Sequence, residues 1–229
     1  MSKIKHLMAS LLISFMGITV ACNSSEVDVN AGKDTLMLIN AAPDAAGIDF
    51  TFNKQKINTL PLTYTQNPVY TLIDAGVKQV EVSIAPSVNK LLSVPVLLQS
   101  RKVYSIFFAG SVKNRNVLLV ATQDNLKKPD KNKAKYRFIN LSPNSRTLDF
   151  RLANDSLLIG NLPFGVASDF NQIKPGEYSV KIASRDTSIK STVAINFNFV
   201  NGKIYTFWAK GFVKGTGNQT LGIQSIQNK

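Results

Sequence analysis

Three kinds of side chain in this sequence have the chemistry to form bonds or grip a ligand. The first is the lone cysteine, Cys22, which closes the run Thr19-Val20-Ala21-Cys22. A thiolate is the nucleophile that thioether formation requires, and neither serine nor alanine could replace it. The second is a matched pair of carboxylates, Asp49 and Asp149, one hundred residues apart. Two acids can flank a glycosidic bond as general acid and base, but only when held about 5 to 10 Å apart. The third is a set of rings: Trp208, the single tryptophan, and Tyr64 and Tyr70 beside Pro61 and Pro68. An exposed ring can stack on a sugar face, and a buried one fills a core.

Each of these has a plainer reading. The two aspartates belong to different repeats, so a catalytic pair would have to form across a connector, which is poor pre-organisation for chemistry. An outward strand position, or a bond to nearby backbone, accounts for them as well. Asp44 and Asn144 follow prolines and read as Asx-type turn formers. Asp44 and Asp49 with neighbouring carbonyls could hold calcium, but no clustered Asp-x-Asp ladder supports this. Trp208 follows Phe207 on a strand, so it points outward if Tyr205 and Phe207 point in; otherwise it fills a core or a contact between domains. Gly211-Phe212-Val213-Lys214-Gly215-Thr216-Gly217 is glycine-rich but lacks the lysine-serine ending of a phosphate loop, and reads as a flexible hairpin loop.

Composition narrows the chemistry further. The chain has one histidine and one cysteine, His6 and Cys22. With His6 in a cleaved leader and Cys22 lipidated, the mature protein would hold neither. That excludes Cys/His and Ser/His/Asp nucleophilic catalysis and the usual zinc, copper and haem ligands. No cofactor, metal or disulfide is expected, so each domain must be held by its hydrophobic core. The net charge is +13. Loss of residues 1–21 removes Lys3 and Lys5 and no acid, leaving 25 basic against 14 acidic residues. Such a field attracts anions generally: lipopolysaccharide phosphates, lipid headgroups, acidic polysaccharide or DNA. A basic solvated surface explains it equally. Lys127, Lys128, Lys131, Lys133 and Lys135 supply much of the excess without the interleaved aromatics of a single-strand groove, so no specific nucleic acid is expected.

The elements that must position these residues come in two copies. Ile39-Asn40-Ala41-Ala42-Pro43-Asp44 returns as Ile139-Asn140-Leu141-Ser142-Pro143-Asn144, Leu60-Pro61-Leu62 as Leu162-Pro163-Phe164, and Val103-Tyr104-Ser105 as Ile204-Tyr205-Thr206. Within each copy the apolar period is two. Ile48, Phe50 and Phe52, then Val80 and Val82, then Val180 and Ile182, then Val193, Ile195, Phe197 and Phe199 alternate with polar residues, as half-buried strands do. Asn201-Gly202 reads as a tight hairpin. No helical spacing of useful length occurs after the leader. These features predict an all-β protein of two tandem immunoglobulin-like antiparallel β-sandwich domains, with a small barrel as the alternative. The expected boundaries are 34–123 and 135–229, with a polar linker over 124–134.

The N-terminus sets the compartment. Lys3 and Lys5 precede the apolar run Leu7 to Val20, which is short for a membrane span and fits a secretory leader over residues 1–21. Its end resembles the lipobox of bacterial lipoproteins, with Thr19 where leucine is common. The resemblance implies cleavage before Cys22, diacylation of its sulfur and a flexible tether over 22–33. Glu26 and Asp28 resemble the acidic surface-export signals of Bacteroidetes lipoproteins. An outer-membrane lipoprotein is expected, with either leaflet open.

The repeats also resemble a known family. Ile-Asn-x-x-Pro-Asp with Ile48-Asp49-Phe50, then Leu162-Pro163-Phe164-Gly165-Val166-Ala167-Ser168-Asp169-Phe170, then Pro175-Gly176-Glu177-Tyr178 are similar to the bacterial envelope family catalogued as domain of unknown function 4397, here in two copies. In the first copy Thr63-Tyr64 stands where the pattern has Phe-Gly. The resemblance implies an immunoglobulin-like sandwich and brings no catalytic residue or cofactor. The expected function is a membrane-anchored, non-catalytic binding or structural module whose partners are envelope glycans or other envelope proteins. Glycan recognition or adhesion through Trp208, Tyr64 and Tyr70 is the alternative, and a carboxylate-only hydrolase the third.

Overall fold

A computed structural model describes residues 32–66, 68, 70–87, 89–184 and 192–228. The chain divides into two units, Met1–Asn30 and Ala31–Lys229. The leader, Cys22 and the tether up to residue 31 lie outside the described residues.

The second unit is all-β, and its one helical element among the described residues is the 3-10 turn Gly217–Gln219. The first half contains β1 (Lys33–Asn40), β2 (Ile48–Phe52), β3 (Gln55–Lys56), β4 (Tyr70–Asp74), β5 (Gly76–Ile84), β6 (Lys90–Leu98), β7 (Val103–Ala109) and β8 (Leu118–Gln123). The second half contains β9 (Ala134–Asn140), β10 (Thr147–Leu152), β11 (Leu157–Pro163), β12 (Asn171–Ile173), β13 (Gly176–Ser184), β14 (Thr192–Phe199), β15 (Ile204–Lys210) and β16 (Gly222–Asn228). The first half forms two sheets, β4-β1-β7-β8 and β3-β2-β5-β6. The second half repeats them strand for strand as β12-β9-β15-β16 and β11-β10-β13-β14.

Period-two side chains bring each pair of sheets together. In the first half Leu36, Leu38, Ile48, Phe50, Val82, Ile106 and Phe108 share one core. In the second, Tyr136, Phe138, Leu148, Phe150, Val180, Phe199 and Phe207 do the same, and the Phe138 and Phe150 rings stack at 4.9 Å. Apolar burial of this kind contributes roughly 25 cal/mol per Å².

Three features correct the sequence reading. The sandwich is not antiparallel throughout: β1 runs parallel to β7, and β9 parallel to β15, at the centre of their sheets. The reason is burial on both faces, as parallel pairs require. The faces of these two sheets turned away from their own sandwiches meet each other in a third core of Met37, Ile39, Phe107, Ile139, Leu141 and Trp208. Asn201-Gly202 does not close a hairpin within a sheet, because β14 and β15 belong to different sheets; the turn carries the chain across the sandwich. The start of the expected linker is not solvated either, since Asp124 is buried.

The inner sheets run in the same direction. Where β1, β7, β9 and β15 finish, which we call the crown, the Tyr64 ring lies under Lys210 of the other half at 5.8 Å, and Gly165 lies against Leu118. Where these strands start, the base, Lys135 Nζ donates to the Asn125 carbonyl at 2.8 Å.

Candidate functional site

The most concentrated polar chemistry lies where the halves meet. Parallel register aligns Met37 with Ser105 in the first half and Arg137 with Thr206 in the second, then Ile39 with Phe107 and Ile139 with Trp208. Phe107 and Trp208 are therefore equivalent residues, and they touch edge to face at 5.8 Å. Equivalent residues in mutual contact mark a two-fold relation, the signature of an isologous interface. Asp124 and Asn228 are a second such pair, each following the glutamine that partners the equivalent tyrosines Tyr104 and Tyr205. They meet at 3.4 Å.

Around this pseudo-dyad lies a closed hydrogen-bond network. Arg137 donates to Asp124 Oδ1 at 2.5 Å and through Nε to Thr206 Oγ1 at 2.9 Å. Asp124 Oδ2 accepts from Ser105 Oγ at 2.6 Å and from the Tyr70 hydroxyl at 2.9 Å. Asn228 Nδ2 donates to the Tyr70 oxygen at 3.0 Å, and its Oδ1 accepts from Thr206 at 2.8 Å. The Arg137 and Asp124 side chains are 2% and 0% exposed. Burial pushes the Arg137 guanidinium down from its ordinary pKa, and the Asp124 carboxylate pulls it back up. Burial, with the nearby Asp124 charge, raises the Tyr70 phenol well above its usual range, so it stays a donor. The guanidinium also stacks on the Phe170 ring at 4.6 Å, a position that continues the register of Tyr70.

The ligand-contact candidates do not form a sugar platform. Trp208 is 1% exposed, in the third core, with Nε1 buried and unpartnered. Its strand faces cores on both sides, so the outward position opposite Phe207 is covered by the other half. Tyr70 opens β4 and is engaged in the network. Tyr64 is half-buried at the crown; its hydroxyl faces the Gly211 backbone without reaching ordinary hydrogen-bond geometry, and burial raises its pKa.

The carboxylates are committed to the frame. Asp49 binds Lys56 at 2.8 Å and Asn58 Nδ2 at 2.9 Å. Asp149 binds Arg151 at 2.6 Å and the Asn161 amide at 2.7 Å. Each thus secures the segment that follows its own strand. Asp44 reaches across the crown to Ser111 Oγ at 2.6 Å and the Val112 amide at 2.9 Å, and Asn144 does the same at Val213. These contacts span 67 to 69 residues and replace the local Asx turns expected. The glycine-rich 211–217 segment lies in the connection between β15 and β16. Asn40 and Asn140, not singled out among the candidate sites, are buried pins: Asn140 Nδ2 donates to the Arg146 and Leu162 carbonyls at 3.1 and 3.0 Å, and Asn40 donates to Ala46 and Leu62 at 3.3 and 3.1 Å.

Two open grooves flank this frame. One, of about 600 Å³, runs between β8 and the Gly165–Phe170 segment, with Thr122, Gln123, Asn125, Ser168 and Asp169 on its walls. Another, of about 560 Å³, separates β6 from β8 and is lined by Leu92, Val94, Val96, Val117 and Leu119. Among the described residues no group of three or more His, Cys, Asp or Glu side chains could hold a metal ion.

Fold and site together define a double β-sandwich of two like halves, in which the conspicuous polar residues hold the frame. The chain belongs to the family described as domain of unknown function (DUF4397), whose match covers residues 34–151. That range takes in the whole first half and ends within β10. No curated protein matches the chain. Among solved structures, the chain is similar to the carbohydrate-binding module CBMbc (family CBM26) from Eubacterium rectale Amy13K, crystallised with maltoheptaose. The two are 11% identical with a TM-score of 0.26, over 86% of this chain and 96% of that one, a likeness too slight to bear on function.

Proposed function

We propose that the protein is a non-catalytic module of the cell envelope, held at the outer membrane through a lipid on Cys22 and presenting a rigid double sandwich to its partners. The observation that carries the non-catalytic part is the commitment of Asp44, Asp49, Asp124 and Asp149 to hydrogen bonds and ion pairs that close loops or join the halves. Each serves the frame rather than pointing into a cleft. The two halves are read as tandem copies of one domain, over 34–123 and 135–229, joined through 124–134. The anchor rests on the leader-like residues 1–21 and on Ala21-Cys22. Glycan recognition through Trp208, Tyr64 and Tyr70 gains no support, because the three rings offer no common exposed surface.

The test is acyl labelling and fractionation of cells expressing the full chain or its Cys22→Ser variant. The parent is expected to incorporate fatty acid and sediment with membranes, and the variant to persist as an unlabelled precursor. Acylation of the variant, or its normal membrane partition, would overturn the anchor.

A further inference from the structure

We infer that the base of the double sandwich is a docking surface for phosphate-bearing lipid headgroups, set against the bilayer by electrostatics rather than by the anchor alone. The inference deepens the proposed membrane attachment and rests on it only for the direction of approach. In the first half, Lys33 opens β1 while Arg101 and Lys102 precede β7, all at the base and all exposed. In the second half, Lys203 precedes β15, Lys133 precedes β9, and Lys174 follows β12, whose last residue Ile173 pairs with Ala134. The connector adds Lys127, Lys128 and Lys131 to the same end: Lys135, one residue into β9, holds the Asn125 and Lys127 carbonyls through its ammonium.

None of these nine exposed or half-exposed cations takes part in an ion pair among the described residues. Against them at the base stand the exposed acids Asp74, Asp130 and Glu177, and Asp130 already accepts a hydrogen bond from Gln172. The carboxylates of Asp34 and Asp124 are buried behind this surface. On the sides Lys56 pairs with Asp49, Lys90 with Glu81, Arg151 with Asp149 and Lys181 with Asp155. The crown carries exposed Lys113, Arg115 and Lys214, a smaller group than the nine cations of the base. The larger basic cluster at the base gives the molecule a polarity that an anionic plane would orient. Each lysine or arginine near such a surface is worth about fivefold in binding, and the attraction fades beyond a Debye length of about 8 Å at physiological salt. The chain also enters the sandwich at this end. Cys22 precedes Lys33 by eleven residues, a span of at most about 40 Å fully extended. A lipid on Cys22 would therefore be joined to the sandwich at its base.

The test uses the unit Ala31–Lys229, which is compact by itself and carries neither leader nor lipid. Its sedimentation is measured with vesicles of phosphatidylcholine alone, of phosphatidylcholine mixed with phosphatidylglycerol, and with inorganic phosphate as competitor. Binding is expected only to the mixed vesicles, and is expected to vanish between about 0.05 and about 0.5 M salt. A base variant, Lys33→Gln with Lys102→Gln and Lys203→Gln, is expected to bind about a hundredfold more weakly. A crown variant of identical net charge, Lys113→Gln with Arg115→Gln and Lys214→Gln, is expected to stay within about threefold of the parent. Circular dichroism confirms that both variants are folded. Equal losses in the two variants, equal binding to neutral vesicles, or no binding by the parent at low salt would each overturn the docking surface. Competition by millimolar phosphate would reassign the base to free anions and overturn the lipid surface. Because this unit has no lipid, failure here leaves the Cys22 anchor standing, and failure of the Cys22 test leaves the base standing.

Discussion

Tyr64 and Tyr70 are both largely buried phenols, yet they bear opposite relations to the stability of the protein. Tyr70 donates to the buried Asp124 carboxylate, whereas the Tyr64 hydroxyl is buried without a partner. A hydrogen bond to a charged group is worth about 1.5–3 kcal/mol, and a buried polar group lacking one is a cost. Tyr70→Phe is therefore expected to lower unfolding free energy by about 2 kcal/mol, and Tyr64→Phe to leave it unchanged or raise it by up to about 1 kcal/mol. Chemical denaturation of the two variants reads both. The second half already contains the latter solution, since Phe164 stands at the position of Tyr64. Asn40 and Asn140 bind the Leu62 and Leu162 carbonyls, and Thr65 and Gly165 bind the Asn40 and Asn140 carbonyls, which shifts the Leu-Pro repeat match by two residues. The two phenols also set an alkaline limit. Both are raised in the folded state, first by burial. Their contribution is whole below the unfolded phenol value of about 10 and falls as pH climbs beyond it, because the unfolded chain ionises first. Melting temperature is expected to drop above about pH 10, less steeply in either phenylalanine variant. An identical alkaline slope in parent and variants would refute the assignment.

Among the elements, the inner strands separate what is legible in the sequence from what is not. Alternation in Ile48-Asp49-Phe50-Thr51-Phe52 places β2 on an outer sheet with one buried face, and the structure agrees. The runs Leu36-Met37-Leu38-Ile39 and Ile106-Phe107-Phe108-Ala109 do not alternate, which is the pattern of strands buried on both faces. Repeat matching alone does not read that signal, so it misses the parallel pairs and the third core and leaves Trp208 open between surface and interior. Arg137 carries a signal too: a charge between Tyr136 and Phe138 in an apolar strand needs a buried partner. Its partner Asp124 cannot be found by spacing, since it lies on a neighbouring edge of another sheet. The Ile-Asn-x-x-Pro motif is visible as a repeat, but its mechanism is not. Asn140 holds the β9–β10 loop and the end of β11 by side-chain bonds to Arg146, Leu162, Ser142 and Ser145. Asn140→Ala is expected to cost about 2–4 kcal/mol by orphaning these groups, and Asn140→Asp, which keeps only the acceptor side, nearly as much. Urea midpoints measure both. A loss below about 0.5 kcal/mol would show the loop held by its backbone alone.

At the scale of the molecule, the symmetric interface contains one asymmetric device. Equivalent residues Phe107 and Trp208 meet on the pseudo-dyad, but Met37 stands where the second half has Arg137, and Asp124 where it has Asn228. A first half paired with another first half would bring two Asp124 carboxylates together with no guanidinium between them. Two second halves would bury two Arg137 side chains with no carboxylate. Only the unlike pairing closes the ion pair, so the network selects the partner within the chain over a copy from another molecule, as buried polar groups do in specific assemblies. The halves should then unfold together, although each has its own core. Trp208 is the sole tryptophan and sits at the junction, so its fluorescence reports the interface while far-UV circular dichroism reports the sheets. The two probes are expected to give one coincident transition in the parent. Arg137→Met leaves Asp124 buried and unpaired, at a cost of about 3–5 kcal/mol, and is expected to open the interface first, so that fluorescence changes at lower denaturant than circular dichroism. Adding Asp124→Asn to that variant makes the site neutral, with the amide left among the Tyr70, Ser105 and Asn228 partners, and is expected to restore coincidence and much of the stability. Separate transitions in the parent would mean that the third core is too weak to couple the halves, and the rigid double sandwich would give way to two modules on a string.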